Sequence, residues 1–318
     1  MNKTCLKVVS LLAGLMVFSS TVFAWGSATH AYIDDQLNKK PELLKLNQIY
    51  GGMAPDVFNY MFTAPDQQIW LSSATHCESM RVWNAAILPT RKALAYGFVS
   101  HNSLWGADYT AHSPGCPAGI TANQGYVYYK ALELQQKLVG EEQYAPLHAL
   151  LQARPELEAE ILQDIVETGV DILMKRSDHA IGQKVVTSAL LRDPGFPLLL
   201  ARVYAHEFSA QFGMSYWDAV KIITAAELQF RKTMVLYGQA LMQDEATATQ
   251  LISEQIAELA NGLFAANGIQ LPPGTELMPL IRDAIQGSMG ICQDDYAGEI
   301  SGTITFVRNE LKANGVSY

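Results

Sequence analysis

The chain has 318 residues, of which 49% are hydrophobic and 17% charged, and its formal net charge is −9. That is enough apolar material for a sizeable core, in one large domain or two smaller ones. The negative balance provides no electrostatic footprint for nucleic acid. No run of Pro, Gly or Ser is long enough to act as a linker and no internal repeat is visible, so the expectation is a single large domain.

Residues 1–24 read as a secretory signal. Lys3 and Lys7 precede an apolar run from Val8 to Phe18, and Val22-Phe23-Ala24 places small residues where a signal peptidase cuts. The run is shorter than the ~20 residues that span a bilayer. Cleavage after Ala24 would make Trp25 the first residue of a secreted or periplasmic protein, residues 25–318, and move the net charge from −9 to about −11. It would also remove Cys5. Cys77, Cys116 and Cys292 would remain, enough for one disulfide and one leftover thiol, with all three pairings open. Cys77 as a soft metal ligand beside His76 is the lesser alternative.

The spacing of apolar residues is helical over most of the chain. A helix is predicted from Ala28 to Leu46, ending near Asn47 and the Gly51-Gly52 pair. The segment from Gly51 to Pro65 reads as loop, with Asp56 directly after Pro55. Met80 to Ser103 reads as helices broken at Pro89, the second running into His101. The breaker cluster from Ser113 to Gly119 is a loop. Further helices are expected over Gln124–Val139, Ala145–Ala153 and Pro155–Lys175, the last with acids in its first turn. Others follow over His179–Leu191 and from Leu198. Ser215 is a good N-cap for a helix running to Met242. Beyond Asp244 come a helix to Ala266, a turn at Pro272-Pro273-Gly274 and a final helical stretch, where Ile304 to Val307 is the only place a strand competes. The fold class is all-α.

The chemistry concentrates between Ser100 and Ser113, which hold His101, Asp108 and His112. Imidazole nitrogens and carboxylates are zinc donors. Asp108 and His112 are four apart, so a helix puts both on one face, serving one cation or two with Asp108 as the bridge. Of seven histidines, His30, His76, His101 and His112 all fall before residue 113, with Asp56 and Asp108 interposed.

These residues resemble the zinc-dependent phospholipases C, which share a fold and metal framework with the single-strand-specific zinc nucleases. The resemblance rests on Trp25 and His30 in Trp-Gly-Ser-Ala-Thr-His, Asp56 in a Pro-Asp pair, His76, and His101…Asp108…His112. It covers residues 25–175 and implies up to three zinc ions in the cleft of an all-helical protein. Asp56, His76, His101 and Asp108 would hold one; the α-amino group and carbonyl of Trp25, with His30 and Asp108, would hold a second. The third would use His112 with Glu167 and Asp171, where the family has a histidine in place of Glu167; His206-Glu207 is the rival pair. Six residues separate His101 from Asp108 where the family has three. The implied activity is hydrolysis of a glycerophospholipid phosphodiester by a metal-activated water, with Asp56 as candidate general base. The implied partner is a phospholipid met in transient contact with a membrane surface, with no nucleic acid. The alternatives are a single-strand nuclease on the same framework and a secreted helical binding protein without catalysis.

Overall fold

Prolines set many of the helix starts in this protein. Pro65, Pro89, Pro146, Pro155 and Pro197 each stand in the first turn of a helix, where the missing N–H has no partner to lose. The computed structural model describes residues 25–61, 63–113, 125–152, 154–266, 269–271 and 273–317. The predicted signal, Cys116 and the breaker cluster after Ser113 lie outside them.

The described residues form α-helices and one 3-10 helix, with no strand. In chain order they are α1 (Ser27–Leu37), α2 (Glu42–Met53), the 3-10 helix (Ala54–Phe58), α3 (Pro65–Cys77), α4 (Met80–Ala85), α5 (Pro89–His101), α6 (Ala107–His112) and α7 (Tyr126–Val139). There follow α8 (Ala145–Leu151), α9 (Pro155–Ser177), α10 (Ile181–Leu191), α11 (Phe196–Phe212), α12 (Tyr216–Leu241), α13 (Glu245–Ala266), α14 (Leu277–Cys292) and α15 (Tyr296–Ala313). Their buried faces merge into one hydrophobic core that runs from Trp25 to Val316. No helix among the described residues is long and apolar enough to cross a membrane.

Four local expectations are corrected. The single helix expected over Ala28–Leu46 is two, because Asn38 turns extended and Pro41 caps the next helix. Gly51 and Gly52 lie inside α2, in the last turn before it ends at Met53. There they act as packing residues: a Cβ on Gly51 would strike the Leu94 carbonyl, and one on Gly97 the Gln48 carbonyl, so α2 and α5 cross backbone to backbone. Ile304 to Val307 is helical within α15, burying Ile300, Thr303, Ile304, Val307 and Leu311 on one face. The expected disulfide does not form: every pairing needs Cys77 or Cys292, and both are free thiols. Cys77 is exposed with its Sγ 3.9 Å from Ser103 Oγ. Ser215 caps α12 as expected, its hydroxyl accepting from the Asp218 N–H.

Candidate metal centre

Seven of the nine predicted ligands come together from six elements: His30 of α1, Asp56 of the 3-10 helix, His76 of α3, His101 at the end of α5, Asp108 and His112 of α6, and Glu167 of α9. The long gap between His101 and Asp108 closes through a tight turn. Asn102 Oδ1 accepts the Leu104 and Trp105 N–H groups, and the Gly106 N–H bonds back to the Asn102 carbonyl at 2.9 Å. A Cβ on Gly106 would collide with the His101 and Asn102 carbonyls, so only glycine lets α6 double back onto α5.

The first half of the cluster is rich in nitrogen. His76 Nδ1 lies 2.7 Å from the Ser72 carbonyl and His101 Nδ1 2.8 Å from the Gly52 carbonyl. A carbonyl oxygen only accepts, so each Nδ1 carries the hydrogen and each neutral ring presents its Nε2 lone pair. Those two Nε2 atoms stand 3.1 Å apart, at 3.3 and 3.8 Å from Asp56 Oδ1. The His30 ring stacks on His101 with centroids 3.9 Å apart, and neither His30 nitrogen has a hydrogen-bond partner. Ligand atoms of His30, Asp56 and His101 all lie within 4.8 Å of one another. Buried acceptors facing one another are costly unless a cation joins them. Burial drives His30 and His101 well below the usual imidazole range, so they stay neutral, the form a metal takes. Burial also opposes a charge on His76, but its bond to Asp56 and the charge of Asp108 outweigh that and raise it above the usual imidazole range. Asp56 is itself held in place: Asn59 Nδ2 donates to it at 3.0 Å, and Ser72 Oγ orients Asn59 by donating to its Oδ1 at 3.0 Å.

The second half is rich in oxygen. Asp108 is fully buried and completes no hydrogen bond at either oxygen, although Ser103 lies near enough to favour its charge; burial pushes its carboxyl up to about 6. His112 Nδ1 lies 2.8 Å from Gln163 Oε1, which again turns Nε2 inward, 3.7 Å from Asp108 Oδ1 and 3.3 Å from Glu167 Oε1. Burial raises Glu167 well above the usual carboxylate range, and the charged groups acting on it are all acids: Asp56, Asp108 and Asp171. The Asp56, His112 and Glu167 side chains keep 12, 11 and 9% of their surface exposed while those of His101 and Asp108 keep none, so the centre meets solvent along that edge.

One predicted ligand is employed elsewhere. Asp171 accepts from the Ala28 and Thr29 N–H groups, from Thr29 Oγ1 and from the Tyr237 hydroxyl, each at 2.7–2.8 Å. Three of these bonds hold the N-terminus of α1 and the fourth ties Asp171 to α12, leaving Asp171 an anchor for the helix that carries His30. A Cβ on Gly26 would strike this carboxylate, which explains a glycine there. The Trp25 indole is buried, donating to Thr110 Oγ1 at 3.0 Å and stacking on Tyr126 at 5.3 Å. The rival pair does not join the centre: Glu207 binds Arg81 at the surface, at 2.7 and 2.9 Å, and His206 is exposed. Asp171→Ala should therefore lower the melting temperature by several degrees, since it strands two helix-terminal N–H groups at about 1–3 kcal/mol each. The deficit should persist in chelator. Were Asp171 a ligand, wild type and variant would melt alike once the metal was gone.

Comparison with protein-family models, curated proteins and solved structures finds no match to this chain.

Proposed function

We propose that the protein is a zinc-dependent phosphodiesterase of the phospholipase C type, acting on glycerophospholipids outside the cytoplasm. One observation carries the metal part of the reading: His76 Nε2, His101 Nε2 and Asp56 Oδ1 converge within 3.8 Å while the Nδ1 hydrogens of both rings are committed to carbonyl oxygens. Such a set suits zinc, whose imidazole ligands donate their other N–H to a carbonyl or carboxylate. Bound zinc would supply a water of lowered pKa and offset charge developing on phosphoryl oxygens. Asp56, at the exposed edge and oriented by Asn59, would take the proton of the attacking water. Asp108, between the two halves, would fix their spacing. The phospholipid assignment rests on the residues shared with the zinc-dependent phospholipases C and on the acidic net charge, which disfavours a nucleic-acid backbone.

The test is hydrolysis of phosphatidylcholine dispersions and of single-stranded DNA by the protein beginning at Trp25, with and without chelator. Lipid cleavage that chelator abolishes and zinc restores is expected. Cleavage of DNA alone would reassign the substrate, and activity indifferent to chelator would end the metal reading.

A further inference from the structure

The two halves of the centre offer different chemistry. One has three imidazoles, His30, His76 and His101, beside the single carboxylate Asp56. The other has one imidazole, His112, beside Asp108 and Glu167, both buried and each with an oxygen lacking any hydrogen bond. Asp164 extends the second set. It lies one turn before Glu167 on the same face of α9, its Oδ1 is buried and unpartnered, and burial with the charge of Glu167 raises its carboxyl well above the usual range. Gln163, beside it, spends its amide oxygen on His112 and adds no second nitrogen.

Resting on the metal-centre reading above, we infer that the Asp108–His112–Glu167 half selects an oxygen-preferring divalent cation such as Mn²⁺, so that the loaded protein is heterometallic. Imidazole suits zinc, whereas carboxylate suits manganese and magnesium, which take more oxygen donors than a four-coordinate zinc site offers. Zinc remains the tighter binder of the two metals at most single sites. What separates the halves is the margin: it is wide where three imidazoles converge and narrow where carboxylates dominate. A divalent ion also offsets the cost of burying Asp108 and Glu167 with unpartnered oxygens.

The experiment strips the full mature protein with chelator, reloads it with one equivalent of Zn²⁺ per chain, and titrates Mn²⁺. Electron paramagnetic resonance counts the free manganese, and elemental analysis counts both metals. The expected result is about one Mn²⁺ taken up per chain with the zinc retained. Glu167→His should weaken Mn²⁺ by at least about ten-fold and admit a second zinc, and Glu167→Gln, nearly isosteric, should also lose manganese. His101→Ala should lose zinc and keep manganese. A zinc-loaded wild type that takes up no Mn²⁺, or a Mn²⁺ affinity unchanged in both Glu167 variants, overturns the inference while leaving the zinc reading intact. Failure to bind even the first zinc overturns both.

Discussion

Asp108→Ala will remove more than one metal ion per chain and reduce hydrolysis to background, a larger loss than His101→Ala produces. Asp108 lies 3.7 Å from His112, and its charge acts on both His76 and His112, so it addresses both halves of the centre. Losing even an outer partner of a metal ligand weakens binding roughly 10–100-fold. Losing a carboxylate placed between two sites removes a direct donor from each. His101→Ala removes one donor and leaves His30, His76 and Asp56. Asp108 also separates a ligand from a structural residue. It is fully buried, completes no hydrogen bond and is pushed up to about 6 by burial, so its charge costs the metal-free fold stability. Asp108→Ala should consequently melt a few degrees above wild type in chelator and below it in zinc, where wild type gains the linkage energy of the bound ion. The crossing of the two comparisons is the signature. A variant less stable under both conditions and unchanged in metal content would make Asp108 an ordinary core residue.

How far the sequence reveals this centre depends on the range of the forces involved. The all-α class follows from local spacing, and the Asp108–His112 pair follows from a four-residue interval on one helix, so both are legible. Glycine is where local reading misleads. Gly51 and Gly52 resemble a helix stop, yet the missing side chain of Gly51 serves contact with Leu94, more than forty residues away, and the Gly52 carbonyl accepts from His101. The helix α3, which carries His76, is absent from the sequence reading although Pro65 and Asp66 are a usable start signal. Asp171 is the instructive case. Its four-residue spacing from Glu167 fits a ligand pair as well as an anchor, and only the arrival of α1, more than 140 residues away in sequence, decides between them. Asp164 and Gln163 carry no motif at all and are found through their neighbours.

Extending the chain by a few residues before Trp25 should cost about one metal ion per chain and at least ten-fold in hydrolysis, with no change in the stability of the metal-free protein. The reason is chemical. A free α-amino nitrogen has a lone pair to give a metal, whereas the same nitrogen in a peptide bond does not. His30, five residues on, is fully buried with neither nitrogen partnered, so an ion that it holds needs donors from nearby chain. Trp25 and Gly26 are held in place: the indole is fixed by Thr110 and Tyr126, and Gly26 passes tight against the Asp171 carboxylate. The indole is present in the processed and extended forms alike, as are Thr110 and Tyr126. A role confined to packing therefore predicts equal melting, equal metal and equal rate, while an N-terminal ligand predicts equal melting in chelator with metal and rate both reduced. Trp25→Phe sharpens the contrast, because it keeps the α-amine while losing the bond to Thr110. That variant should retain its metal at some cost in stability, the reverse of the extended chain. If the extended form holds as much zinc and turns over as fast as the processed one, the donor that completes the His30 position is a side chain, and the N-terminus is no part of the centre.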